Sequence, residues 1–295
     1  MSQTKSIDQW LHAASQAFDE AGLFYGHGTD NAWDEAVYLI SYTLGCGVAF
    51  ADRDVDEPLS LSEDQKVQAC VTQRIETKKP TAYLVNEAWF AGYTFYVDER
   101  VLVPRSPLAE LIDEAFTPWI DIDNVKRIVD VGTGSGCIGI TCALYFEHVQ
   151  VELLDIDAGA LAVAQKNIQY YDLAQRVQAY QSDLLDARQG QRYDIILSNP
   201  PYVSLDEYAS LPDEYKQEPQ LGLTSGVDGL DCVRRILSSA AQYLTPQGIL
   251  IVEVGNSQVA LEQAFPDVPF TWLEFEYGGS GVFLLDYSQL TTYFK

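Results

Sequence analysis

The residues best suited to chemistry form the run Asn199-Pro200-Pro201-Tyr202, which directly follows an apolar stretch typical of a buried strand. Proline fixes φ and has no backbone N–H, so the run leaves carbonyl oxygens without competing donors. The Asn199 side-chain oxygen and the Pro200 carbonyl can accept both hydrogens of one planar –NH₂ group. The alternative interpretation is a rigid turn that only ends the strand.

Such a pair of acceptors suits an amide nitrogen, which is a poor nucleophile because its lone pair is delocalised. Two hydrogen bonds would orient the nitrogen toward an electrophile and stabilise the positive charge that develops on it. Tyr202 can stack on the flat substrate and shape the slot that holds it. We therefore predict that Asn199, Pro200 and Tyr202 are catalytic.

A glycine-rich loop lies upstream, in the run Asp130-Val131-Gly132-Thr133-Gly134-Ser135-Gly136. Glycines let the backbone turn sharply and approach a ligand closely. Asp130 adds a negative charge that suits the ammonium group of S-adenosylmethionine better than a phosphate. The spacing Gly134-x-Gly136-x-x-Gly139 also satisfies the dinucleotide pattern, so a dinucleotide cofactor and a ligand-free turn remain alternatives.

Two further acidic positions follow the next two predicted strands. Asp155 is placed to hydrogen-bond the ribose hydroxyls of a nucleoside cofactor, and Asp157 is typical of a helix N-cap. Asp183 could accept from the adenine amino group while Leu184 packs on the ring. The alternative for Asp183 is a loop cap.

The elements that must position these residues alternate between strand and helix from about residue 107 onward. This order predicts an α/β fold with a mostly parallel, doubly wound sheet of seven strands. Gly278-Gly279-Ser280 is too short for a crossover helix, so the last two strands must be antiparallel neighbours. The predicted strands are 127–131, 150–154, 177–181, 193–198, 248–254, 270–276 and 281–285, and the predicted helices 138–145, 158–170 and 229–243.

The N-terminal third has a different pattern. Residues 1–82 predict a small helical domain, with N-caps at Ser6, at Asp30 or Asn31, and at Ser62, where Gln65 would complete a capping box. Residues 83–106, rich in aromatic and β-branched side chains, predict a β-hairpin linker, and residues 107–295 the catalytic domain.

Charge and composition restrict the partners. The chain has 295 residues, 47% of them hydrophobic, and a formal net charge of −25. An acidic surface without a basic stretch argues against direct nucleic-acid binding and favours a basic protein partner, although solubility alone would also explain it. Five cysteines without a Cys-x-x-Cys pair and three scattered histidines predict no metal site. No apolar run suggests a membrane span and no secretory signal is apparent, so we expect a cytoplasmic enzyme.

The combination of the glycine-rich loop with Asn199-Pro200-Pro201-Tyr202 resembles the amino-methyltransferases, which include adenine-N6 DNA enzymes and protein glutamine-N5 enzymes. The order of helical domain, hairpin and catalytic domain resembles the glutamine group over essentially the whole chain. The resemblance implies the S-adenosylmethionine-dependent, Rossmann-like methyltransferase fold with a C-terminal antiparallel hairpin. It also implies a substrate-recognition role for residues 1–82.

Within the glutamine group, enzymes acting on peptide release factors usually carry Pro-Arg-Pro-x-Thr-Glu after the hairpin. This chain departs from that element and resembles the branch that methylates large-subunit ribosomal protein L-three. Release factors and, less favoured, nucleic-acid adenine remain alternative substrates. The departing stretch reads Val103-Pro104-Arg105-Ser106-Pro107-Leu108-Ala109-Glu110.

The resemblance assigns roles residue by residue, and it implies that Asn199, Pro200, Pro201 and Tyr202 bind the substrate. Arg105 is expected either to orient the substrate backbone or to pin the linker to the catalytic domain. Leu184 stands where the release-factor branch often has an aromatic residue. With the acids above, the expected cofactor-binding residues are Asp130, Gly132, Thr133, Gly134, Ser135, Gly136, Asp155, Asp183, Leu184 and Asn199.

Overall fold

The computed structural model describes residues 4–47, 50 and 52–294. The expectation that no secretory signal is present concerns the N-terminus, whose first three residues lie outside the described part. The chain divides into two compact units. The first comprises Met1–Ala88, Val97–Glu99 and Pro212–Gln217, and the second comprises Trp89–Tyr96, Arg100–Leu211 and Glu218–Lys295.

The first unit is helical. Its apolar side chains recur at helical spacing and form one core, in which Trp10, Phe18 and Leu39 are buried. The predicted N-cap Ser6 is confirmed, because its hydroxyl accepts from Gln9 N at 3.2 Å. The helices are α1 (Ile7–Glu20), α2 (Ala32–Leu44), α3 (Leu61–Thr77) and α4 (Thr81–Val85).

The prediction for the start of α3 was wrong by two residues. Its N-cap is Ser60, and the capping box is completed by Glu63 instead of by the pair Ser62 and Gln65. The Glu63 carboxylate accepts from the Ser60 N–H at 3.1 Å and from its hydroxyl at 2.6 Å. A charged acceptor at the positive end of a helix is stabilising, which favours the earlier of the two overlapping patterns.

A buried ion pair joins separate segments of this unit. Arg74 on α3 donates to Glu35 on α2 at 2.7 Å, and its guanidinium lies 3.8 Å from Glu214. Glu214 also accepts from Phe24 N at 3.0 Å. The side chains of Arg74, Glu35 and Glu214 are each no more than 4% exposed. Charges this deeply buried are tolerated only while each keeps its partners.

We expect Arg74→Ala to lower the free energy of unfolding by about 3–5 kcal/mol, because it leaves two carboxylates buried without their cation. Urea denaturation followed by circular dichroism measures the change. Arg53→Ala is the control, since Arg53 pairs with Glu63 through side chains that are 33% and 27% exposed, and such a pair contributes about 0–1 kcal/mol. Equal losses in both variants would contradict the importance of burial.

A short hairpin follows α4 along the chain, formed by β1 (Ala88–Phe90) and β2 (Tyr93–Phe95), and all of it except Ala88 belongs to the second unit. The turn contains Gly92, whose φ of 80° lies in the left-handed region. The hairpin is shorter than the predicted linker, and Leu84 and Val85 belong to α4.

A seven-stranded sheet forms the centre of the second unit, with strand order β5-β4-β3-β6-β7-β9-β8. The pairs among β3 to β7 are parallel, whereas β9 is antiparallel to both β7 and β8. The predicted doubly wound fold with a C-terminal antiparallel pair is therefore confirmed. The strands are β3 (Arg127–Val131), β4 (Gln150–Asp155), β5 (Val177–Gln181), β6 (Tyr193–Ser198), β7 (Leu244–Glu253), β8 (Thr271–Trp272) and β9 (Val282–Asp286).

Helices cover both faces of this sheet, and two apolar clusters fill the space between. None of the helices in the described residues is long and apolar enough to cross a membrane. The helices are α5 (Leu108–Asp113), α6 (Cys137–Tyr145), α7 (Ala158–Tyr170), α8 (Leu205–Ser210), α9 (Gln220–Leu223), α10 (Asp231–Ser239), α11 (Gln258–Ala264) and α12 (Tyr287–Tyr293).

The strand predicted over 270–276 is much shorter, because β8 ends at Trp272. The backbone N–H groups of Glu276 and Tyr277 do not continue the ladder to β9. They donate to the Glu110 carboxylate at 2.6 and 3.1 Å. A side chain distant in sequence therefore replaces the β ladder, which periodicity along the strand does not indicate.

Candidate active site

The carboxyl ends of the parallel strands β3, β4, β5 and β6 meet at one edge of the sheet, and each predicted chemical segment follows one of them. Ligands of doubly wound folds bind in the crevice at this edge. The register aligns Val131 of β3 with Leu154 of β4 and with Ser198 of β6. The glycine-rich loop therefore lies between the segments beginning at Asp155 and at Asn199.

Asp130 is completely buried at this edge. One carboxylate oxygen, Oδ2, accepts from the Thr133 hydroxyl and from Gly139 N at 3.1 Å. The other, Oδ1, is buried and has no hydrogen-bond partner within the described residues. Burial raises the pKa of Asp130 to about 6, although these two hydrogen bonds oppose the rise. An ionised oxygen in this position is an acceptor for a buried cationic donor.

The glycine-rich loop needs its glycines for conformation and for packing. Gly132, Gly134 and Gly136 all have positive φ, at 73°, 55° and 83°. The Gly132 and Thr133 N–H groups donate to Leu154 O at 2.8 and 2.9 Å.

Two further features position α6 and α7 beside the loop. A Cβ on Gly139 would lie 2.3 Å from Leu153 Cδ2, so Gly139 serves close packing of α6 on β4. Ser135 is buried, and its carbonyl accepts from Asn167 Nδ2 at 2.8 Å. The loop is thereby fixed from two sides.

Asp155 ends β4 and is half-buried. Its Oδ2 accepts from Gly134 N at 2.9 Å, and its Oδ1 accepts from Asp157 N at the same distance. Burial raises the pKa of this carboxyl. Asp157 is the N-cap of α7, as predicted. Asp155 therefore ties the loop to β4, and each of its oxygens keeps a lone pair for another donor.

Asp183 and Leu184 follow β5. The exposed Asp183 carboxylate accepts from Arg235 Nη1 on α10 at 2.8 Å. Leu184 has φ of 51°, which is unusual for a residue with a Cβ, and it packs partly buried against the sheet. The structure thus gives Asp183 an ion-pair partner that neither interpretation of the sequence included.

Asn199 and Pro200 lie directly beside the glycine-rich loop. A Cβ on Gly132 would be 3.9 Å from both the Asn199 carbonyl oxygen and Pro200 Cα. The Asn199 side-chain amide forms no hydrogen bond within the described residues, although neighbouring Ser198 donates to Val131 O at 2.7 Å. The strand is therefore anchored immediately before Asn199, and the amide remains able to bind a ligand.

Tyr202 is fixed by contacts that the sequence did not reveal. Its hydroxyl donates to Glu253 Oε1 at 3.0 Å, and its carbonyl accepts from Ser257 Oγ at 2.7 Å. The other Glu253 oxygen accepts from Ser106 Oγ at 2.6 Å. The sequence places Ser106 in the stretch Val103 to Glu110, and it assigns no role to Glu253. The one feature of the sequence that points to Glu253 is its position as an acidic residue at the end of a buried strand.

Arg105 forms a bidentate ion pair with Glu218, with nitrogen–oxygen distances of 2.7 and 2.6 Å. Glu218 is buried and also accepts from Val103 N at 2.9 Å. These bonds fasten the linker segment to the chain beyond Tyr202. Of the two expected roles for Arg105, these bonds favour the one in which it pins the linker to the catalytic domain.

No group of three His, Cys, Asp or Glu side chains in residues 4–47, 50 and 52–294 is arranged to hold a metal ion.

We expect Asp130→Asn to increase the free energy of unfolding at pH 7 by about 1–3 kcal/mol. Asp130 binds its proton more tightly in the folded protein, with a pKa of about 6 against an ordinary 3.8. Burial of the ionised carboxylate is therefore most destabilising above pH 6. This cost in free energy declines as the pH falls from about 6 toward 3.8, because the folded protein takes up the proton first. Urea denaturation of both proteins at pH 7, 5 and 4 measures this, and a destabilised variant at pH 7 would contradict it.

Comparison with known proteins supports an enzyme class. A family model described as "Methyltransferase small domain" matches residues 113–210. The solved structure titled hMettl16 catalytic domain in complex with MAT2A 3′UTR hairpin 6 aligns with a TM-score of 0.52 and 17% identity. It covers 83% of this chain and 90% of that one, which shows the fold alone.

Two curated relatives are named ribosomal protein uL3 glutamine methyltransferase. The one from Francisella tularensis subsp. tularensis is 48% identical over 92% of this chain and 87% of its own length. The one from Neisseria gonorrhoeae is 46% identical over 97% of this chain and 95% of its own length.

The strand order, the glycine-rich loop and the Asn-Pro-Pro-Tyr segment at one sheet edge define a methyltransferase of the doubly wound class. Sequence identity of 46% or more to the two curated relatives, over at least 92% of this chain, shows which family within that class it belongs to. The chain belongs to the ribosomal protein uL3 glutamine methyltransferase family.

Proposed function

We propose that this protein transfers a methyl group from S-adenosylmethionine to the side-chain amide nitrogen (N5) of a glutamine in ribosomal protein uL3, the large-subunit protein L-three. The observation that carries the proposal is the placement of the Asn199–Pro200 backbone against Gly132 of the glycine-rich loop. Donor and acceptor sites are then adjacent, as direct transfer requires. The names of the curated relatives support the substrate.

The cofactor site rests on Asp130 and Asp155. The buried Oδ1 of Asp130 lacks a partner within the described residues, and the ammonium of S-adenosylmethionine would supply one, directly or through neighbouring carbonyls. A dinucleotide pyrophosphate would instead be repelled by that charge. The remaining lone pairs of Asp155 suit the ribose hydroxyls. Gly132 to Gly136 would approach the cofactor through their backbone, with Asp183 and Leu184 near the adenine.

Bound S-adenosylmethionine supplies an electrophilic methyl group on a sulfonium. The Asn199 side-chain oxygen and the Pro200 carbonyl accept the two N–H hydrogens of the glutamine amide and orient its nitrogen. They would also stabilise the positive charge that forms on this nitrogen as its bond to the methyl carbon forms and the carbon–sulfur bond breaks. S-adenosylhomocysteine would leave as the neutral thioether, and the methylated nitrogen would lose one of its protons to solvent. Pro201 and Tyr202 shape the slot around the flat amide group.

We propose a separate role for each part of the chain. Residues 1–82 recognise the substrate, residues 107–295 catalyse the reaction, and residues 83–106 link these two domains. The net charge of −25 attracts a basic protein and disfavours direct nucleic-acid binding. We propose a cytoplasmic site of action, because ribosomal proteins are made there.

The proposed reaction is tested by methyl transfer from radiolabelled S-adenosylmethionine, with uL3, a release factor and DNA offered in parallel. We expect label on uL3, and mass mapping should place it on a glutamine side chain. Label on the release factor would retain the chemistry and change the substrate. Label on DNA would contradict the argument from charge, and label on none of the three would overturn the proposed function.

We expect Asn199→Ala to reduce kcat by about a hundredfold or more, which is typical for loss of one preorganised hydrogen-bonding group. The dissociation constant of S-adenosylmethionine, measured by calorimetry, should change much less. Asn124→Ala is the matched control, because exposed Asn124 lies just before β3 at the opposite edge, and within the described residues its side chain bonds only to Asp121. Near-normal turnover of Asn199→Ala would refute the orientation of the amide.

A further inference from the structure

Tyr202 is held by contacts of its hydroxyl, its carbonyl and its ring. The hydroxyl donates to Glu253, and the carbonyl accepts from Ser257. The ring lies so close to Gly255 that a Cβ there would be 2.7 Å from Tyr202 Cε2. Because Gly255 has φ of 45°, a larger residue would be strained as well as crowded. The glycine leaves room for the ring, and Glu253 is the acceptor for its polar end.

Glu253 ends β7 at the same sheet edge as Asn199, and it is 6% exposed. Its two oxygens each accept from one hydroxyl, that of Tyr202 and that of Ser106. Ser106 is equally buried, and its oxygen accepts from Leu108 N at 3.2 Å. Burial raises the pKa of the Glu253 carboxyl. A carboxylate held mainly by neutral hydroxyls in the interior costs free energy, and an apolar side chain there would avoid that cost.

We propose that Glu253 is a positioning residue for methyl transfer, which holds the Tyr202 ring in register with Asn199, with Ser106 holding Glu253 in turn. The proposal rests on the proposed substrate role of Tyr202. It extends that role to two residues outside the Asn-Pro-Pro-Tyr segment. Glu253 acts through Tyr202 and touches neither substrate nor cofactor.

The test compares Glu253→Ala, Glu253→Gln and Tyr202→Phe in the full chain. We expect Glu253→Ala to lower kcat about ten- to a hundredfold, which corresponds to loss of one hydrogen bond to a charged group. The KM for cofactor should change less than twofold. Glu253→Gln should retain most of kcat, because its oxygen still accepts from Tyr202 while its amide donates to Ser106 Oγ.

The double variant Tyr202→Phe/Glu253→Ala separates positioning from general damage. If Glu253 acts through the Tyr202 hydroxyl, Tyr202→Phe already loses most of the effect, and adding Glu253→Ala causes little further loss of kcat. Additive losses in the double variant, or an unchanged kcat in Tyr202→Phe, would overturn the proposal. Should Glu253→Ala fail to fold, the other two variants still decide.

A matched control exists at the amino edge of the same sheet, where Tyr193 donates to Glu152 at 2.6 Å, also in the interior. Tyr193→Phe removes a comparable tyrosine–glutamate bond remote from the site. We expect it to lower the melting temperature without changing kcat. A loss of kcat as large as that of Tyr202→Phe would show that any buried bond of this type supports activity, and would overturn a specific role for Glu253.

One measurement does not depend on the identity of the substrate. In tyrosine-labelled protein, the carbon-13 chemical shift of Tyr202 Cζ, assigned with Tyr202→Phe, reports the bond to the carboxylate. We expect this resonance to move in Glu253→Ala and to stay in Tyr193→Phe. A resonance that does not move would overturn the proposal even if wild-type protein methylates uL3. A moved resonance with no methylation of any substrate would overturn the proposed function alone.

Discussion

The parallel pairing of β3 with β4 on one side and β6 on the other is the constraint on which the site depends. Parallel neighbours place their carboxyl ends at one edge, and the register sets Val131 beside Leu154 and Ser198. The segments that follow those strands are thereby brought together at that edge. A slip of one residue would move each side chain of a strand to the opposite face, where it would not fit the cluster already packed there. The packing of the two apolar clusters therefore fixes the register.

The site concentrates buried negative charge that the fold alone does not require. Asp130 is fully buried with one oxygen lacking a partner in the described residues, and Glu253 is held by two neutral hydroxyls. Burial raises the pKa of both carboxyls. By contrast, Glu152 at the amino edge of the sheet has two arginines as partners, and its pKa is lowered. Buried carboxylates at the two edges of this sheet therefore have different partners, and the arrangement that costs more free energy lies at the carboxyl edge, where the candidate site is.

Much of the fold was predictable because its determinants are local. The strands β3, β5 and β6 and the helix α7 have the predicted bounds, since each combines periodic apolar residues with clear stop residues. The short glycine-containing connection correctly indicated antiparallel terminal strands. The start of α3 was misplaced because two capping patterns overlap there. Strand β8 was overestimated because nothing in its own pattern shows that the Glu276 and Tyr277 N–H groups bind the Glu110 carboxylate, far away in the chain, instead of β9.

For the candidate site, the sequence by itself determined the glycine-rich loop, Asp130, Asp155 and the Asn-Pro-Pro-Tyr segment. Each of these chemical features is contained within a few consecutive residues, and the strand pattern places them at one edge. Only the tertiary structure decided the pairing of Arg105 with Glu218, of Asp183 with Arg235, and of Tyr202 with Glu253. These partners are separated by 113, 52 and 51 positions in the chain. Their contacts exist only because folding buries apolar surface and brings distant segments into register.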